Sequence, residues 1–402
     1  MRRQTFDFAA LCAAAFVTAC GTDATSSGNA DSGIDVGAGS GSSGGTSSGG
    51  GSNSSTGSGS GGSGGSSGSS ASGGSSGGAS SGSRDGGDTV DGSTPPIDAG
   101  VPMDAAAEAG DAGGGNRFVC PKGPFPPPSA GTSQPVCSNF SFNYDLQDGP
   151  TWVTSEQAFF FSNYVRGAAG PGDIIKYTPG GQCETWLANV GCNGLTSAYD
   201  GTLVAVCQAS RSVISFDLRT KQPTTLASMY QGKLLDSPND VVAHSSGAIF
   251  FTNPTYELGQ RPSGVGPAEF YIDAKGSLNL IAMPPAGQQP NGIALSPDEK
   301  RLYVEQDSTG VVVYDLDANG APTSSARPFA GTTDGISVDC AGNLYLSGGT
   351  IVDPTGAQIG SFPGGGSMAA FGGADGQTLL VVGAGSGTSV STMQMNVPGP
   401  PH

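Results

Sequence analysis

Six times along this chain a short apolar strand opens, runs through a polar or glycine-bearing turn and enters a second strand. The copies begin at Asp148 (DGPTWVTSEQAFFFSN), Asn193 (NGLTSAYDGTLVAV), Asn239 (NDVVAHSSGAIFFT), Asn291 (NGIALSPDEKRLYV), Asp334 (DGISVDCAGNLYLS) and Met368 (MAAFGGADGQTLLVV). Their intervals are 45, 46, 52, 43 and 34 residues, the range of one four-stranded propeller blade. Runs of Val, Ile, Phe, Tyr and Thr set apart by Gly, Asp, Asn and Pro turns are open to a sandwich, a barrel or a propeller. A sandwich does not reuse one strand–turn–strand unit at a steady period, so the repeat selects an all-β, six-bladed β-propeller. Radial stacking then brings the opening residues to one level of a central channel. Five of the six offer a carboxylate or amide oxygen there.

Within a unit the second strand leads to an aromatic-bearing third strand and a turn, as in DIIKYTPGG, VISFDLRT, EFYIDAKG and VVVYDLDANG. The last copy is short, so the ring needs a strand from elsewhere. Residues 139–144 (NFSFNY), just before the first copy, are the expected donor, which removes the free sheet edge. The Pro-rich run before them (PKGPFPPPSAGTSQPV) reads as an extended strap without regular structure.

The chain ahead of this domain has a different character. Of 402 residues 69 are Gly, and residues 21–115 are nearly all Ser, Gly, Ala, Asp and Thr. Such a segment buries too little apolar surface to offset the entropy of ordering it. Residues 20–115 are therefore expected to be a disordered linker, with an end-to-end distance of about 50–60 Å as a Gly/Ser coil. About half of the net charge of −17 lies there, so the acidity describes the tether more than a binding face. Nothing basic points to nucleic acid. Residues 1–19 read as a signal peptide: Arg2 and Arg3 precede a short apolar stretch that cannot span a bilayer. Val17-Thr18-Ala19-Cys20 resembles the lipobox of bacterial lipoproteins, and that likeness implies acyl chains on Cys20. Gly21 points to the outer membrane. Simple secretion after cleavage by an ordinary signal peptidase is the other reading. Residues 116–402 form the propeller domain.

Six further cysteines (Cys120, Cys137, Cys183, Cys192, Cys207 and Cys340) suit disulfides in an oxidising compartment. The local pairs Cys120–Cys137 and Cys183–Cys192 are expected, with Cys207 a small core residue of the strand LVAVC. No CxxC occurs and the histidines are only His244 and His402, so a zinc site is not indicated.

The stretch 191–256, with GCNGLTSAYDGTLVAVCQASRSVISFDLRT, YQGKLLDSPNDVV and GAIFFTNPTY, resembles the family of senescence marker protein (regucalcin), gluconolactonase and luciferin-regenerating enzyme. QPNGIALSPDEKRLYV, TDGISVDCAGNLYLS and AAFGGADGQTLLVV continue the likeness in the family's order, over most of residues 148–382. The resemblance implies one divalent cation, calcium above all, at the channel mouth. Carried over by motif, its ligands are Asp148 in DGPTW, Asn291 in PNG and Asp334 in DG. Asn239 matches the family's Asn of PND, which contacts substrate or joins the metal shell, and Asn193 matches the NGL position facing the same channel.

Two carboxylates with amide oxygens make an oxygen-only site, which suits calcium over zinc or copper. The implied activity is a calcium-dependent lactonase acting on a small lactone, with Asp334 as the base that takes the water's proton. The domain is expected to be monomeric and to touch the membrane only through its lipid anchor. The dipeptides Asn-Gly and Asp-Gly are also ordinary turn formers; their equivalent repeat positions favour a shared site. Asp240 is expected to bond backbone, and Trp152 and Trp186 to pack within blades. Glu305 and Asp307, at the end of a strand, are placed either near the channel or among solvated loop charges.

Several positions depart from the family's pattern. Asp148 replaces a Glu, and Met368 leaves one place in the ring without a polar group. Asn163, Gln208-Ala209, Asn253 and Gln306 stand where the family often has acids or a Glu-His pair. These changes predict a less acidic mouth, and with it a second reading: a weakly active or inactive propeller that binds a ligand or protein at the cell surface.

Overall fold

Runs such as AFFFSNY, LVAVC and IFFTN are buried at every residue, as expected of a strand with a packed sheet on either side. Each is the second strand of a blade in the computed structural model, which describes residues 118–165, 170–383 and 389–400. The expected signal peptide (1–19), Cys20 and linker (20–115) lie outside the described residues. Apart from four short 3-10 turns, the regular structure of the described residues is all β.

Six four-stranded antiparallel sheets follow one another along the chain. Their innermost strands are Leu146–Val153, Leu195–Ser197, Val241–Ala243, Pro290–Leu295, Ile336–Val338 and Met368–Gly372. Each inner strand contacts the next, and the sixth contacts the first, which closes a ring. The core is a set of apolar layers between adjacent blades. Phe251 and Phe270 of blade 3, for example, pack with Val204 and Val213 of blade 2. Trp152 stands edge-on to Phe159, and Trp186 edge-on to Phe160 and Phe216; both are blade packing, as expected.

The ring closes through an N-terminal strand, but not the expected one. Gln134–Val136 is the fourth strand of blade 6 and pairs with Val390–Gln394, Val136 opposite Val390. Part of the strap is therefore regular structure. Pro135 is tolerated because an outermost strand has one edge that needs no donor. Residues 139–144 serve packing instead: Phe140 and Phe142 join the apolar layer between blades 6 and 1.

The disulfides also differ from expectation. They are Cys120–Cys340, Cys137–Cys183 and Cys192–Cys207. Ring closure sets Cys137, just past the closing strand, beside Cys183 at the outer edge of blade 1. The circle makes the first and last blades neighbours, so Cys137–Cys183 does not follow from distance along the chain, whereas Cys192–Cys207 is a local pair. Cys207 is buried, as expected, but bonded rather than free.

Candidate functional site

The repeated Asn-Gly and Asp-Gly pairs are seams between blades. A Cβ on Gly292 would stand 2.3 Å from the Asp334 carbonyl oxygen, and one on Gly194 would stand 2.6 Å from Asp240 Cα. A Cβ on Gly149 would stand 2.5 Å from the Asn193 carbonyl oxygen. The backbone N–H of Gly194 donates to the Asn239 carbonyl at 2.8 Å, that of Gly292 to the Asp334 carbonyl at 3.0 Å, and that of Gly335 to the Ser367 carbonyl at 3.0 Å. Gly149 has a positive φ of 53°, whereas Gly194, Gly292 and Gly335 have ordinary φ and are there for space. Each glycine thus lets one blade's opening residue approach the next blade's.

The result is a cavity of about 280 Å³ at the channel mouth. Asp148, Asn239, Asn291 and Asp334 line it. Asn291 Nδ2 donates to Asp334 Oδ1 at 2.8 Å. The Asp334 backbone N–H is held by Ser347 Oγ at 2.6 Å. Asn193 is one step removed: it is buried and donates through Nδ2 to the Tyr164 hydroxyl at 3.2 Å. Tyr164 in turn donates to Asp148 Oδ2 at 3.4 Å. Asn193 therefore positions an Asp148 partner. Asp240 bonds backbone, accepting from Val241 N at 2.9 Å and Ile293 N at 3.1 Å. Met368 packs against the apolar layer between blades 6 and 1.

Sequence reasoning left Glu305 and Asp307 open and overlooked Tyr164, Tyr256 and Glu257; all five line the cavity. A signal for them exists. In an antiparallel pair the end of the second strand lies beside the start of the first, so residues closing a second strand sit at the same mouth as those opening the first. Tyr164 and Glu305 close second strands, and the others follow within a few residues. A second lobe of about 320 Å³ adjoins the first and shares Asp148, Tyr164 and Asp334 with it. Its far wall is Gly365, Gly366, Ser367 and Gly383 of blade 6.

The expected loss of acidity does not follow from the amide replacements. Asn163 donates to the Tyr144 and Leu146 carbonyls at 2.7 and 2.8 Å. Asn253 accepts from Asp236 N at 2.8 Å and donates to the Gly266 carbonyl at 2.9 Å. Gln306 donates to Glu269. These amides hold framework, while among the described residues Asp148, Glu257, Glu305, Asp307 and Asp334 give the cavity five carboxylates and no basic side chain.

The electrostatics follow from that. Burial first, then the charges of Asp334 and Asp240, push Asp148 well above the usual carboxylate range. Burial pushes Asp240 up to about 7 despite its two backbone donors. Burial, with Asp307 and Asp334 adding, pushes Glu305 up to about 8. Among the described residues no three His, Cys, Asp or Glu side chains form a metal-binding group by themselves. A set of two carboxylates and the Asn291 amide is nevertheless a hard oxygen donor set, and the mutual repulsion of its acids is what a divalent cation relieves.

Residues 146–385 match the family model described as the SMP-30/Gluconolactonase/LRE-like region. A gluconolactonase of Zymomonas mobilis is 34% identical over 238 residues, 50% of this chain and 65% of that relative's length. Among solved structures, a gluconolactonase from Xanthomonas campestris superposes with a TM-score of 0.55 at 25% identity, over 69% of this chain and 99% of that one. A calcium-binding protein, regucalcin, from Agrobacterium tumefaciens superposes with a TM-score of 0.52 at 19% identity, over 66% of this chain and 92% of that one.

Proposed function

Because the chain belongs to the SMP-30/gluconolactonase/LRE-like family, we propose that it is a calcium-dependent lactone hydrolase whose site is the acidic mouth of the propeller. The observation that carries the reading is the pairing of Asn291 with Asp334 across two blades, inside a cavity also lined by Asp148. The gluconolactonase from Zymomonas mobilis and the regucalcin from Agrobacterium tumefaciens support the substrate class and the cation respectively.

Asp148, Asn291 and Asp334 would hold the ion. When bound, it polarises the lactone carbonyl and offsets the negative charge that develops on its oxygen. The protein's own part is position and proton transfer. Asn291 holds Asp334 Oδ1 in place, and the Asp334 carboxylate takes the proton of an attacking water. Water adds to the acyl carbon, the ring C–O bond breaks, and the released alkoxide takes up a proton to give the hydroxy acid. Tyr164, itself fixed by Asn193, orients Asp148. The acidic walls then repel the carboxylate product and favour its departure.

Export and lipid attachment at Cys20, with residues 20–115 as a tether, belong to the same proposal and put the enzyme at the cell envelope. The catalytic assignment is tested with full-length Asp334→Ala. Loss of lactone hydrolysis by a factor of about 10² or more, with an unchanged circular dichroism spectrum, is expected for a proton-transfer residue. Retained activity in that variant would remove Asp334 from the mechanism.

A further inference from the structure

Among the described residues that line the first lobe, one buried side-chain oxygen has no hydrogen-bond partner. Glu305 lies near the end of the strand Arg301–Gln306, is 2% exposed and lines the cavity that holds Asp334. Backbone amides of Asp307 and Thr333 bear on its carboxyl, but Oε2 is buried without a partner. A buried acceptor left unpaired is costly and calls for a reason. The neighbouring acids offer no donor. Asp307 Oδ2 is taken by Gln289 N at 2.8 Å, and Asp334 Oδ1 by Asn291. Among the described residues no basic side chain lines the wall. The preceding residues of the strand, Leu302, Tyr303 and Val304, are buried and apolar or aromatic, so packing alone does not ask for a carboxyl here.

We propose that Glu305 accepts a hydrogen bond from a hydroxyl of the substrate, and so is a specificity-determining residue for hydroxylated over unsubstituted lactones. This inference rests on the lactonase reading. A site that hydrogen-bonds a ligand hydroxyl rejects the analogue lacking it strongly, because its own buried group is then left unpaired. Burial pushes the Glu305 carboxyl up to about 8; as a neutral acid it both accepts from and donates to a hydroxyl, which eases its place beside Asp307 and Asp334.

The test uses full-length, calcium-loaded wild type, Glu305→Gln and Glu305→Leu with glucono-1,5-lactone and δ-valerolactone. The two lactones differ in intrinsic reactivity, so the quantity read is the change between proteins in the ratio of their kcat/KM values. Glu305→Leu is expected to lower that ratio about tenfold or more, chiefly through the KM of the hydroxylated substrate. Glu305→Gln, which keeps an acceptor and nearly the same shape, is expected to retain most of it. A second readout needs no turnover: calorimetric Kd values for gluconate should weaken about tenfold in Glu305→Leu and less in Glu305→Gln. Ratios and Kd values within about twofold of wild type in both variants would overturn the proposal. So would a wild type that does not bind gluconate. If wild type hydrolyses neither lactone but Glu305→Leu still weakens gluconate binding, the lactonase reading falls and the role of Glu305 stands.

Discussion

An added methyl at Gly292 would meet the Asp334 carbonyl; the carbonyl is backbone and a Cβ is fixed by the backbone that bears it, so neither can swing aside. The Gly292 N–H already donates to that same carbonyl, and the residues on either side of the seam are Asn291 and Asp334. Gly292→Ala is therefore expected to part blades 4 and 5 just where the candidate ligands meet. Overpacking of this kind costs about 1–3 kcal/mol, measurable as a lower urea midpoint, and calcium affinity should fall with it. An unchanged calcium affinity would show that the seam does not set the ligand geometry. Gly149, where φ is positive and a Cβ would also clash, answers to conformation and clearance together, whereas Gly292 answers to clearance alone.

The third blade contributes an element the repeat alone does not reveal. Its second and third strands, Ile249–Asn253 and Ala268–Ile272, are joined by the loop 254–267, which carries Tyr256 and Glu257 to the cavity. The loop is held from beneath by Arg211 and Asp236, paired at 3.3 Å with the Asp236 side chain fully buried. Arg211 also donates to the Leu235 and Pro262 carbonyls, while Asp236 accepts from Gly264 N and Gly266 N at 2.6 Å each. Removing one member of a buried pair strands the other, a loss of about 3–5 kcal/mol. Arg211→Leu should show that loss in urea unfolding together with a raised KM; loss of stability with KM unchanged would mean the loop does not shape the site. Such contacts bridge residues 211, 236 and 262 through a loop with no period, which is why they were not legible. The opening residues of the inner strands were legible, because a period of about one blade converts sequence position directly into place on the ring. The closing strand lies a few residues before the segment next to the first copy, 139–144, because the aromatics of that segment are spent on packing.

For the molecule as a whole, the buried acids tie stability to pH. Asp240 titrates at about 7 in the fold, above its unfolded value of about 4, so between those values the native state holds a proton the unfolded chain has released. That contribution is fully present below the unfolded pKa and is lost as pH rises through about 7. Asp148 and Glu305 are shifted in the same direction. In the presence of chelator the urea midpoint should therefore fall between about pH 5 and pH 8, and Asp240→Asn should flatten part of the fall. A midpoint that rises over this range would contradict the burial of these acids. Calcium should offset the loss, by about 2.7 kcal/mol at a hundredfold excess over its Kd.

The most direct measurement is the initial rate of glucono-1,5-lactone hydrolysis by the full-length protein, followed in a pH-stat before chelation, after it, and after calcium is returned. Hydrolysis well above the spontaneous rate is expected, with its loss on chelation and its recovery with calcium. Hydrolysis that persists unchanged in chelator, or no hydrolysis in calcium, would contradict that expectation.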